Sequence, residues 1–119
     1  MHARLFMLAA LAAAMLTSAC GGGGDNTTAA VAVYKELGSL QCTGGGTSVS
    51  ALQTQLAVAG IEALAASCGL DGNVHPAVCG APDGRIGIID VRPAQAQLAT
   101  TLGFAMLSTL PAPVRQACS

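Results

Sequence analysis

Four cysteines in the C-terminal three quarters of this 119-residue chain constrain its fold more than any other feature. They are Cys42, Cys68, Cys79 and Cys118. No two of them form a C-x-x-C motif, so their spacing favours neither a redox-active dithiol nor a zinc ribbon. An even set of cysteines in a short chain is typical of a disulfide framework formed in an oxidising compartment. We therefore expect two disulfides, each adding about 2–4 kcal/mol of stability to a small core.

The first 19 residues have the pattern of an export signal. Arg4 precedes the apolar run 5–16, which is too short to cross a bilayer as a helix. Small residues then lead through Ala19 into the fifth cysteine, Cys20. At Ala19 and Cys20 the chain resembles a bacterial lipoprotein precursor, in which a small residue precedes a cysteine that receives a diacylglyceryl group on its sulfur. Thr17 stands where that family usually has Leu, and Leu16 lies one place further away.

This resemblance implies three functional parts: a signal peptide at 1–19, a lipidated Cys20 with a Gly-rich tether at 20–28, and a domain at 29–119. Two or more acyl chains would anchor the protein stably to membrane lipid. Gly21 follows the cysteine where an Asp would favour inner-membrane retention. The resemblance therefore implies the outer membrane, with the domain facing the periplasm. The alternative is secretion, with Cys20 left as a free thiol.

Hydrophobic periodicity and turn residues predict the order strand, helix, strand, strand, helix, strand in the domain. The predicted strands cover 30–42, 61–69, 85–91 and 105–111. Ser48 or Ser50 begins the first helix and Pro93 the second, and Gly60 and Gly103 end them. The predicted inward faces consist of Val49, Leu52, Leu56 and Ala59 in the first helix and of Leu98 and Leu102 in the second.

The two halves of the domain are similar to each other. The segment "GIEALAAS" from Gly60 matches "GFAMLSTL" from Gly103 at an offset of 43 residues. Two β-α-β halves in this order predict an α+β, ferredoxin-like βαββαβ fold, a four-stranded antiparallel sheet with both helices on one face. Right-handed crossovers place the first and third strands at its centre. This architecture carries no function by itself.

The predicted topology favours one of the three pairings that four cysteines allow. Cys68 and Cys79 flank the connection between the second and third strands, so we expect them to pair. Cys42 would then pair with Cys118, with the C-terminal tail curling back towards the end of the first strand. The other two pairings remain open at this point.

The most individual segment is "CGLDGNVHPAVCGAPDG", Cys68 to Gly84, which contains two Asp-Gly turns. A rigid exposed loop is a common place for binding residues, although the same residues would also serve a plain turn. The candidate binding residues are Asp71, Asn73, His75, Pro76 and Asp83.

Composition disfavours several functions. Without residues 1–19 the chain carries four basic and six acidic side chains, a net charge of −2, which disfavours nucleic-acid binding. His75 is then the only histidine, and no Gly-x-Ser-x-Gly motif surrounds a serine. Asp71-Gly72-Asn73 lacks the remaining ligands of an EF-hand, and "CTGGGTS" lacks the Gly-Lys ending of a phosphate-binding loop. We therefore predict no catalytic residues, no metal and no cofactor.

These observations predict a non-enzymatic binding or envelope-accessory module, acting through the sheet face opposite the helices and through the Cys68–Gly84 loop. The expected partner is an envelope protein or peptidoglycan. Two alternatives are a secreted or periplasmic inhibitor that acts through the same loop, and a peptidoglycan-binding domain of the sporulation-related repeat type, which shares the βαββαβ order.

Overall fold

A computed structural model describes residues 29–118 and shows an α+β fold with two helices and one antiparallel sheet. The predicted signal peptide, Cys20 and the tether lie outside the described residues. The strands are β1 Val31–Glu36, β2 Ala65–Leu70, β3 Arg85–Val91, β4 Ala105–Met106 and β5 Val114–Gln116. The helices are α1 Val49–Val58 and α2 Pro93–Thr101.

The sheet has five strands in the order β4-β1-β3-β2-β5. Its first four strands place β1 and β3 at the centre, which is compatible with a ferredoxin-like arrangement. The prediction of four strands and a βαββαβ chain was wrong, because β5 adds to the outer edge of β2. This strand has only three residues, all of them exposed, so no hydrophobic alternation marks it in the sequence.

Both helices end as the sequence predicted. Gly60 and Gly103 have positive φ angles of 80° and 91°. The backbone N–H after each glycine bonds a carbonyl five residues back, from Ile61 to Leu56 and from Phe104 to Ala99. This pattern satisfies carbonyls that the helix leaves free, and it turns a buried Ile or Phe inwards.

The main core lies between the helices and one face of the sheet. Val33 and Ile89, which are register partners on β1 and β3, pack there with Leu52 and Leu56 of α1 and with Ala96 and Ala99 of α2. The prediction for α2 was wrong at Leu98, which is 45% exposed. Small alanines, rather than Leu98, form the buried side of α2 and let that helix approach the sheet closely.

The other face of the sheet is covered, contrary to the expectation of an open contact surface. Ile86 and Ile88 point away from the helices and yet have no exposed surface. The chain leaves β4 after Met106, forms a short 3-10 turn and passes to the opposite edge of the sheet. Arg115 of β5 then bonds Ser67 and Asp90 on this face. The fourth strand was predicted to cover 105–111, but it ends at Met106. The residues that follow lead instead to β5 at the opposite edge of the sheet.

The four cysteines form two disulfides, as expected, but their pairing was predicted wrongly. Cys42 bonds Cys79, and Cys68 bonds Cys118. The reason is β5, which runs beside β2 and places Gln116 opposite Cys68, so that Cys118 follows close by. Cys79 is then left beside the loop that carries Cys42.

Neither helix within residues 29–118 has the length and apolarity needed to cross a membrane.

Candidate functional site

The two long loops of the domain lie at the same end of the sheet. The first loop comprises residues 37–48 after β1, and the second loop comprises residues 71–84 between β2 and β3. Glu36 pairs with Ile86, and Leu70 pairs with Arg85, so both loops leave the sheet at neighbouring positions. We call this region the loop end. The chain enters β1 at Val31, which lies at the opposite end of the sheet, about 20 Å away along a six-residue strand.

Cys42 and Cys79 join the two loops into one unit. Gln41 extends this junction with its backbone, donating from its N–H to the Ala81 carbonyl at 2.8 Å and accepting from the Gly80 N–H at 3.2 Å. Cys42 has a φ of 71°, a left-handed conformation that a residue with a side chain rarely adopts. It lies in a tight turn closed by reciprocal hydrogen bonds between Leu40 and Gly44. The surrounding bonds therefore hold Cys42 towards Cys79 despite this conformation.

Asp83 makes a second connection between the loops. Its Oδ1 accepts a hydrogen bond of 2.7 Å from the hydroxyl of Ser39, a buried residue of the first loop. It also accepts the backbone N–H of Arg85 at 3.0 Å. Partial burial alone would raise the pKa of Asp83, but the bonds from Ser39 and Arg85 outweigh it and lower that pKa. The carboxylate thus stays ionised while it fixes the base of the second loop.

Asp71 and His75 form a contact inside the second loop. Asp71 is 2% exposed, and both of its carboxylate oxygens lie within 2.9 Å of His75 Nε2. Its Oδ1 also accepts the backbone N–H of Asn73. Burial would raise the pKa of Asp71, but the hydrogen bonds from Asn73 and His75 and the charge of His75 lower it overall. The imidazole lies against Gly84, where a Cβ would approach the ring to 2.5 Å.

Residues 74–78, which we call the tip, project from the loop end. The tip has no helix or strand, and all of its side chains except that of His75 are exposed. Val74 is 99% exposed and Val78 is 62% exposed. Both valines lie close in the chain to residues that fix the loop, namely Asp71, which contacts His75, and Cys79, which is bonded to Cys42. The exposed aliphatic side chains therefore belong to a loop that is constrained on both sides.

A cleft of about 520 Å³ lies beside the first loop, on the helix side of the sheet. Three consecutive glycines of the first loop, the beginning of α1 and the Cys68–Cys118 disulfide line it, together with Arg85 and Gln116. Gly44, Gly45 and Gly46 all have positive φ angles. The C-terminal segment, which β5 places beside β2, supplies part of the lining of this cleft.

The five candidate binding residues have different roles. Asp71 and His75 come together with the Asn73 backbone, while Asp83 bonds the first loop instead. Asp71 is buried, so its carboxylate organises the loop and is not a free ligand-binding group. Pro76 is exposed on the tip.

Neither the exposed side chain of Val74 nor the cleft was predicted from the sequence. An Asp-Gly turn with an aliphatic residue soon after it was the available signal for Val74. No local signal marked the cleft, because residues far apart in the chain form it.

His75 and Ser39 are both occupied by carboxylates, the first by Asp71 and the second by Asp83. This arrangement does not couple a histidine base to a hydroxyl nucleophile. Among residues 29–118, no group of three or more His, Cys, Asp or Glu side chains is placed to hold a metal ion. Comparison of the chain with known protein families, with curated proteins and with solved structures finds no match.

Proposed function

We propose that this chain is a bacterial lipoprotein, anchored to the outer membrane by acyl chains on Cys20, with a domain that acts as a non-enzymatic binding or envelope-accessory module in the periplasm. The position of the loop end carries this proposal. The chain enters the domain at Val31, and both long loops lie at the other end of the sheet. The tether would join the domain at the end opposite both long loops, so the loop end would be the part of an anchored domain farthest from its attachment point.

The loop end is the proposed binding surface. A disulfide and several hydrogen bonds hold its two loops together, so binding a partner would cost little conformational entropy. Val74 and Val78 offer exposed aliphatic anchors of the kind that fill a pocket on a protein partner. The covered sheet face does not offer a comparable surface, because Ile86 and Ile88 are fully buried. An envelope protein is therefore the favoured partner, ahead of peptidoglycan.

Two further observations support a non-enzymatic role in an oxidising compartment. The two disulfides suit the periplasm, where cysteine pairs persist. His75, the one histidine of the domain, already uses its Nε2 to bond a buried carboxylate. Its role in this proposal is to shape the second loop.

A second candidate function is inhibition of an enzyme by the second loop. The observation that favours it is the tip, which is exposed, aliphatic and fixed at both ends. An inhibitory loop needs this combination, because it must enter a cleft without losing its shape. The sporulation-related repeat alternative has no comparable feature in its favour, since it rests only on the order of the elements.

The anchoring proposal is tested by expressing the full chain and Cys20→Ser in a Gram-negative host. The parent protein should carry acyl groups on Cys20 by intact mass and should fractionate with the outer membrane. Cys20→Ser should carry no acyl groups and should not fractionate with the outer membrane. An exported parent protein with an unmodified Cys20 thiol would refute anchoring.

The binding proposal is tested by photo-cross-linking in intact cells. A photoreactive amino acid replaces Val74 in one variant and Val58 in the control, since Val58 is 84% exposed on α1, away from the loop end. A defined envelope protein should be cross-linked from position 74 and not from position 58. Equal products from both positions, or peptidoglycan fragments alone from position 74, would contradict a protein-binding loop end.

A further inference from the structure

The tip is held by its neighbours, yet the main-chain groups of its first four residues lack hydrogen-bond partners in the described part of the chain. Within residues 29–118, the backbone N–H and C=O groups from Val74 to Ala77 make no hydrogen bond. The first bond after them is donated by the Ala81 N–H to the Val78 carbonyl at 3.0 Å. Among the described residues, the main-chain donors and acceptors of these four consecutive residues thus have no hydrogen-bond partner, and Pro76 has no N–H to donate.

The tip is nevertheless fixed on both sides and in the middle. The Asp71 N–H donates to the Gly84 carbonyl at 2.9 Å and closes the base of the second loop. His75 reaches inwards from the tip to the Asp71 carboxylate. The disulfide from Cys79 to Cys42 follows directly after Val78. The exposed segment is therefore pre-organised, although no secondary structure supports it.

The chemistry of the tip restricts its partner. The sequence Val-His-Pro-Ala-Val has no acidic side chain and no Lys or Arg. Its exposed groups are small or branched aliphatic side chains, with Val74 at 99% and Val78 at 62% exposure. Free main-chain groups beside such side chains fit a groove that pairs with an extended segment and accepts aliphatic residues in its pockets.

We propose that residues 74–78 are an inhibitory segment that occupies the substrate groove of a peptidase selective for small aliphatic residues. Peptidase grooves bind the substrate main chain in extended form, and a small primary pocket selects Val or Ala in place of a basic or aromatic residue. A flexible peptide of this composition would be cut and released. A segment tied through His75 and Cys79 keeps its shape in the groove instead. This inference rests on the proposed role of the loop end as the binding surface.

The test measures inhibition of an elastase-type serine peptidase, which has a small primary pocket, by the full-length disulfide-bonded protein. Trypsin, whose pocket takes Lys or Arg, serves as the specificity control. We expect the tip to inhibit the elastase-type enzyme competitively and not to inhibit trypsin. Absence of inhibition, or rapid cleavage within 74–78 without inhibition, would overturn the proposal.

Variants then assign the inhibition to the tip. Val74→Asp and Val78→Asp should each raise the inhibition constant at least about tenfold, because a charge would enter an apolar pocket. Val58→Asp, at an exposed valine outside the loop end, should leave it unchanged. An equal loss with Val58→Asp would refute the role of the tip.

His75→Ala tests the positioning role of the imidazole. Loss of the Asp71 contact should convert the tip from an inhibitor towards a substrate, so that the rate of cleavage within 74–78 rises while inhibition weakens. A purely structural role elsewhere in the fold would instead lower thermal stability without selective cleavage of the tip. That outcome would overturn the proposed positioning by His75.

Cross-linking from position 74 and the inhibition assay together distinguish a failure of this inference from a failure of the proposed function. If Cys20 is acylated and position 74 cross-links an envelope protein while no peptidase is inhibited, the inference fails and the binding module stands. If position 74 contacts nothing and no peptidase is inhibited, both fail.

Discussion

Replacing Cys42 and Cys79 together by Ala tests the disulfide pairing that defines the loop end. The structure pairs these two residues, so Cys68 and Cys118 should still form their own bridge in the variant. The pairing expected from the four-strand topology would instead leave Cys68 and Cys118 as two free thiols. A single protein thus distinguishes the two arrangements.

The size of the effect follows from the loop that the bridge closes. Cys42 and Cys79 are 37 residues apart, and for that loop length the chain-entropy relation gives a stabilisation of about 4 kcal/mol. With a urea m-value of about 1–2 kcal/mol/M, the unfolding midpoint should fall by about 2–4 M. The mismatched variant Cys68→Ala with Cys79→Ala would break both bridges and should lose up to about 8 kcal/mol, enough to unfold a domain of this size.

Peptide mapping without reduction measures the pairing directly. Cleavage at Glu62, Asp71 and Asp83 separates the four cysteines of the domain onto different peptides. Trypsin would not, since no Lys or Arg lies between Cys42 and Cys79. Two alkylated thiols at positions 68 and 118 in the Cys42→Ala, Cys79→Ala protein would refute the pairing and, with it, the joined loops.

Three further changes test individual contacts. Gly87→Ala should lower the free energy of unfolding by about 1–3 kcal/mol, because a Cβ on this central strand would lie 2.5 Å from Leu52 Cδ1. The loss should be smaller in a Leu52→Ala background, where this clash is removed. Strictly additive shifts of the urea midpoint in the double variant would contradict the clash. Asp71→Asn should make the melting temperature fall less steeply as the pH is lowered. The lowered pKa of Asp71 means that its contribution is present above the unfolded-state value of about 3.9 and is lost as pH falls through the folded-state pKa, so an unchanged dependence of the melting temperature on pH would count against the Asp71–His75 contact. Arg115→Met should cost no more than about 1 kcal/mol in urea unfolding, since its ion pair with Asp90 is partly exposed; a loss several times larger would show that β5 depends on this contact.

Local sequence signals were sufficient where a residue's role depends on its neighbours in the chain. Gly60 and Gly103 end the helices, Ser48 caps α1 by accepting the Ala51 N–H, and Pro93 begins α2. The apolar run of β3 correctly indicated a central strand, because burial on both faces removes hydrophobic alternation. These features follow from backbone sterics and from periodicity.

The candidate site was visible in the sequence only in part. The turns around Asp71 and Asp83 marked the second loop, but they did not show that Asp71 would be buried beneath His75. Nor did they show that Asp83 would bond Ser39, 44 residues earlier in the chain. Each of these contacts depends on strands that bring distant segments to one end of the sheet.

The sequence by itself determined the helix ends, the central strand β3, the α+β class and the presence of two disulfides. Only the tertiary structure decided the fifth strand, the covered sheet face and which cysteines pair. The physical reason is that β5 has no amphipathic pattern of its own and exists through its pairing with β2. Once β5 lies beside β2, Cys118 reaches Cys68, and Cys79 is left to join the loop that carries Cys42.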